Sequence, residues 1–66
     1  MLITYRVGKV GKYKPRYSYF TTRLKAHKNA EAKSRKNKAR YIVSVCYGQG
    51  FYITDGIYYN GRKLLK

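Results

Sequence analysis

The chain has a single cysteine, Cys46, in 66 residues, and this limits what it can fold into more than any other feature. No internal disulfide can form. Because His27 is the only histidine, no cysteine-based zinc site can be assembled either. A domain of about this size buries only about 60% of the surface its unfolded chain exposes, and is marginal without such a staple. Stability must therefore come from packing, self-association or binding. One free thiol also fits a reducing compartment.

The residues nevertheless predict an ordered chain. Nine tyrosines, two phenylalanines and one proline, with clusters of Ile and Val, are not the composition of a disordered segment. "LITYRV" (Leu2–Val7) alternates, with Ile3, Tyr5 and Val7 on one side, as a strand does. "GKVGKYKP" (Gly8–Pro15) reads as a basic loop. "RYSYFTT" (Arg16–Thr22) alternates again, Tyr17 and Tyr19 opposed to Ser18 and Phe20. Strands over 2–7 and 16–22 then make a hairpin with a lysine-tipped loop.

"RLKAHKNAEAKSRKNKAR" follows. Its Ala, Lys, Arg and Glu residues favour helix, Thr21 or Thr22 can cap it, and its basic end suits the negative pole of the dipole. A helix over 23–38 is expected. Its apolar face is thin, consisting of Leu24, Ala26, Ala30 and Ala39, so only light docking is expected. "RYIVSVCY" (Arg40–Tyr47) is the clearest strand, and Tyr41, Val43, Val45 and Tyr47 share a face. Two further strands over 51–54 and 57–60 flank "DG" (Asp55–Gly56), read as a hairpin turn. "NG" (Asn60–Gly61) is a second turn signal, and "RKLLK" offers a short last strand. The predicted fold is α+β, a small single domain: an N-terminal β-hairpin, one basic α-helix, then a three-stranded antiparallel meander. Tyr5, Tyr41 and Tyr47 are expected in its core beside Ile3, Val43, Val45, Phe51 and Ile53. Tyr17, Tyr19, Tyr52, Tyr58 and Tyr59 are expected to be more exposed.

Catalysis finds little to work with. The two acids, Glu31 and Asp55, read as an ion-pair partner of Lys28 or Arg35 and as a turn residue. Cys46 alternates with Ile42 and Ser44 and reads as a small packed hydrophobe. His27 sits among lysines and reads as a solvated or phosphate-contacting group. Neither a metal site nor a cofactor is expected. "GKVGK" lacks the spacing of a phosphate-cradling loop. No apolar run is long enough to span a membrane, no signal peptide precedes the first strand, and a cytoplasmic location is the default.

What remains is positive charge. The chain carries 16 Lys and Arg against two acids, a net charge of +14. A solvated surface usually mixes signs; eight cations and one acid between Arg23 and Arg40 do not. Such a chain favours polyanions. The expected function is non-catalytic nucleic-acid binding, mainly through phosphates, with DNA slightly favoured over RNA. Lys25, Lys28, Lys33, Arg35, Lys36, Lys38 and Arg40 would contact phosphate from the helix, and Lys12, Lys14 and Arg16 from the loop. Tyr17, Tyr19 and Tyr52 form the candidate stacking or interface set. The competing reading is a basic inhibitor or adaptor that docks on an acidic protein surface. In size, charge and tyrosine content the chain resembles the small accessory proteins of bacteriophages, a resemblance that no motif carries. An exposed edge strand also offers a route to a homodimer.

Overall fold

The computed structural model describes residues 2–11 and 16–65. Six elements follow one another: β1 (Thr4–Lys9), β2 (Ser18–Phe20), α1 (Arg23–Asn37), β3 (Arg40–Cys46), β4 (Ile53–Tyr59) and β5 (Arg62–Leu65). The strands form one sheet in the order β2-β1-β3-β4-β5, every neighbouring pair antiparallel. The helix carries the chain from the β2 edge back to β3, beside β1. This is the expected α+β arrangement of hairpin, helix and meander.

The alternation seen in the sequence decides which face is covered. Val7, Val43, Tyr41 and Tyr58 are buried under the helix, Val45 is buried on the same sheet face, and Tyr5 and Phe20 pack at the margin. Their neighbours Arg6, Tyr19, Ile42, Ser44, Thr54 and Ile57 fall on the other face by register. No helix or strand among the described residues covers that second face.

The core is smaller than the sequence suggests. Tyr47, Phe51 and Ile53 are exposed, as is Ile3, whereas Tyr58 is buried. The two buried tyrosines place their hydroxyls: Asn37 Nδ2 donates to the Tyr41 hydroxyl at 2.7 Å, and the Tyr58 hydroxyl lies 2.6 Å from His27 Nδ1. Satisfied hydroxyls are what allow tyrosine to serve as core.

Helix α1 begins where expected. Thr22 is its N-cap, with Oγ1 accepting from the Lys25 amide at 3.4 Å, and Lys38 ends it in the left-handed conformation (φ 49°). Its docking face is made of small residues. Ala26, Ala30 and Ser34 are fully buried, one turn apart, so the backbone lies close to the sheet. Leu24, expected on that face, is instead 66% exposed. Ser34 anchors the end of the helix: its hydroxyl donates to the Glu31 carbonyl and accepts from the Gly61 amide, both at 2.9 Å.

Asp55–Gly56 does not turn. Both residues lie inside β4, so the expected strands over 51–54 and 57–60 are one strand, preceded by Phe51 and Tyr52 in a loop. Val43 pairs with Gly56 and Ser44 with Thr54, which leaves Asp55 as the extra residue of a β-bulge. A bulge bends the strand and re-aims a side chain. The hairpin turn is Asn60–Gly61, whose positive φ values of 52° and 80° match what a two-residue turn requires; it leads into β5. Among the described residues no helix is long and apolar enough to cross a membrane.

Candidate nucleic-acid interface

The expected phosphate contacts do not form one surface. At 3.6 residues per turn, the face opposite Ala26, Ala30 and Ser34 carries Lys25, Lys28, Ala32, Arg35 and Lys36, all exposed. Lys25, Lys28 and Lys36 make a solvent-facing basic ridge there. Arg35 leans from it, packing its guanidinium over Gly61. Lys33 is drawn away, because its Nζ donates to Ser18 Oγ at 2.9 Å and ties the helix to β2. Lys38 sits at the C-cap. Arg40 pairs with Tyr59 at the start of β3 and alternates onto the helix-free face. Arg16 is exposed just before β2. Lys12 and Lys14 lie outside the described residues.

The helix-free face gathers the three tyrosines of the stacking set around a residue that sequence reasoning missed. Arg6, in the middle of β1, places its guanidinium carbon 4.1 Å from the Tyr17 ring centroid and 3.9 Å from that of Tyr52. Each such cation–π contact is worth about 0.5–2 kcal/mol, more as it is desolvated. Tyr19, directly opposite Arg6 in the β1–β2 pair, lies 6.4 Å from Tyr17 ring to ring at a tilt of 55°. The period-two pattern put Tyr17, Tyr19 and Arg6 on their respective strand faces, but only the register joins the strands.

Gly8 makes this possible. A Cβ there would stand 2.5 Å from Tyr17 Cε1, so the ring lies across the bare backbone of β1. Beside the stack runs a cleft of about 250 Å³ lined by Lys9, Ile42, Ser44 and Thr54 along with Arg6 and the two tyrosines. The Arg6 Nε is buried and has no hydrogen-bond partner. Neither acid reaches this face by register: Glu31 is on the helix and Asp55 turns toward it.

On the helix side a different cluster replaces two expectations. His27 is not a solvated lysine neighbour. Its Nε2 lies 2.6 Å from Asp55 Oδ2 and its Nδ1 2.6 Å from the Tyr58 hydroxyl, with the ring only 12% exposed. Asp55 is an anchor and not a turn residue; Arg23 Nε donates to the same carboxylate oxygen at 3.0 Å. Burial alone would raise the Asp55 pKa, but the His27 hydrogen bond and the charges of Arg23 and His27 outweigh it and hold the carboxyl below its ordinary value. An ionised carboxylate only accepts, so the His27 Nε2–H donates to it and Nδ1 faces the phenol. Burial, assisted by the charges of Glu31 and Asp55, pushes the Tyr58 phenol up. The cluster is a clasp between helix and bulge. The expected pairing of Glu31 with Lys28 or Arg35 is absent: the ion pairs among the described residues are Arg23–Asp55 and His27–Asp55.

Cys46 ends β3 part-exposed and unpaired. Backbone hydrogen bonding from Gly48, then Gly50, draws its thiol below the usual range against the opposing effect of burial. It is less sheltered than a packed hydrophobe would be.

Comparisons with protein families, curated proteins and solved structures gave no match.

Proposed function

We propose that the chain is a non-catalytic nucleic-acid-binding protein that uses the outer ridge of α1 on the phosphate backbone. The observation that carries this reading is the composition of the ridge: Lys25, Lys28 and Lys36 exposed on the helix, on a chain of net charge +14. Cations aligned at helical spacing release condensed counterions when they meet phosphates, a favourable and sequence-independent contribution. The docking of the helix through Ala26, Ala30 and Ser34 leaves this ridge free. A cytoplasmic location goes with this reading, as does the free thiol of Cys46.

The test is a salt titration. Binding of the wild-type chain to duplex DNA should weaken with a steep linear slope of log K against log salt. Replacing Lys25, Lys28 and Lys36 with alanine should flatten the slope by up to about 0.9 per contact removed. An unchanged slope would rule out the ridge.

One observation favours the second reading, a basic adaptor for an acidic protein. Leu24 stands 66% exposed at the start of the helix, next to Lys25, where an apolar anchor ringed by cations would suit a protein surface. Phosphate binding needs no such residue.

A further inference from the structure

We propose that the helix-free face of the sheet is a second, separate site, and that its ligand is single-stranded nucleic acid with unpaired bases. This proposal rests on the nucleic-acid reading and adds to it the kind of strand that is held and the residues that hold it.

Three observations converge on that occupant. The first is aromatic surface. Tyr19 is 60% exposed on the open face beside the Tyr17–Arg6–Tyr52 stack. An exposed ring on a sheet is a platform for a base, and only an unpaired base has a free π-face to offer. A duplex, with its bases stacked on each other, has none.

The second is charge. Arg6, Arg40 and Arg62 lie on this face by register, Lys9 lines its cleft, and no acid among the described residues joins them. The face thus complements a backbone of one sign. A protein partner, with its mixture of charges, would meet like-charge repulsion at every lysine and arginine it brought.

The third is shape. The cleft of about 250 Å³ is smaller than the roughly 300–1,000 Å³ of pockets that enclose small ligands. Ser44 and Thr54 line it with hydroxyls, which can hydrogen-bond a base edge. The Arg6 guanidinium lies against the Tyr17 and Tyr52 rings, and its buried Nε has no hydrogen-bond partner. A guanidinium donor held there matches a phosphate or the edge of a guanine.

The site is distinct from the ridge because helix and open face are the two sides of a sheet–helix sandwich whose smallest Cα extent is 17 Å. A base stacked on the open face does not touch the ridge. The two sites should therefore fail independently.

The experiment measures affinity of the whole chain for four probes of equal length: a thymidine single strand, an abasic single strand of the same charge, a duplex and heparin. The wild-type chain should bind the thymidine strand more tightly than the abasic strand. Tyr19→Ala should weaken thymidine-strand binding by roughly 10-fold and leave duplex binding unchanged. Tyr19→Phe should restore it, because the ring and not the hydroxyl is required. The side chain is exposed, and circular dichroism checks that the variant is folded. Equal binding of thymidine and abasic strands, or a Tyr19→Ala variant that binds like wild type, would overturn the stacking site while leaving the ridge standing. A wild-type chain that binds no nucleic acid more tightly than heparin would overturn the nucleic-acid reading itself, and the stacking site with it.

Discussion

At the scale of single residues, Asp55 holds helix and sheet together. It is the bulged residue of β4, and the bulge aims its carboxylate at His27 and Arg23. Because the folded carboxyl titrates below its unfolded value of about 3.9, the stability it contributes is present in full above that pH and is lost as pH falls through the folded value. Asp55→Asn should cost about 1–3 kcal/mol at neutral pH, and denaturation of that variant should depend less on pH below about 4. Urea titrations at neutral and acid pH measure both. Gly8 is the counterpart on the open face. Gly8→Ala should push the Tyr17 ring off Arg6 and weaken single-strand binding, with duplex binding as the control that does not move. Cys46 should react with iodoacetamide at a lower pH than an unstructured cysteine does, because backbone hydrogen bonding from Gly48 and Gly50 favours its thiolate; a rate–pH profile checks this.

At the scale of elements, the strands were legible because one buried face leaves a period-two record. "RYIVSVCY" and "RYSYF" show it, and the structure honours both alternations. The helix was legible from its formers and its Thr22 cap. Which face it buries was not. Leu24 was the obvious apolar anchor, yet Ala26, Ala30 and Ser34 are the residues inside, because close approach rewards small side chains over large ones. Asp55–Gly56 departs from its local signal for a related reason. Asp-Gly commonly marks a turn, but Gly56 does not adopt positive φ; it is a glycine because a Cβ would lie 2.9 Å from His27 Cε1. That tertiary contact leaves no local trace, whereas Asn60–Gly61 obeys the turn rule. Gly56→Ala should therefore push the helix from the sheet and cost about 1–3 kcal/mol by overpacking, read as a lower thermal midpoint. Stability equal to wild type would show that the helix has room to move.

At the scale of the whole molecule, the chain carries sixteen cations and two acids, and both acids lie on the helix side of the sheet–helix sandwich. Like charges so close repel, so the free chain should gain thermal stability as sodium chloride is added and the repulsion is screened. Complexes with nucleic acid should respond in the opposite direction. That a polyanion is the partner could be read from charge alone. The division of that charge between two faces could not. Arg40 and Lys33 leave the ridge through strand register and a hydrogen bond to Ser18, and Arg6 meets Tyr17 and Tyr52 only once distant strands are paired. The most direct test is a titration of single-stranded DNA, duplex DNA and heparin against the chain from low to physiological salt. Nucleic-acid binding that outlasts heparin binding at physiological salt is the predicted result. Equal, weak binding to all three, lost by physiological salt, would contradict the account and leave the charge as a means of steering the chain to an acidic protein.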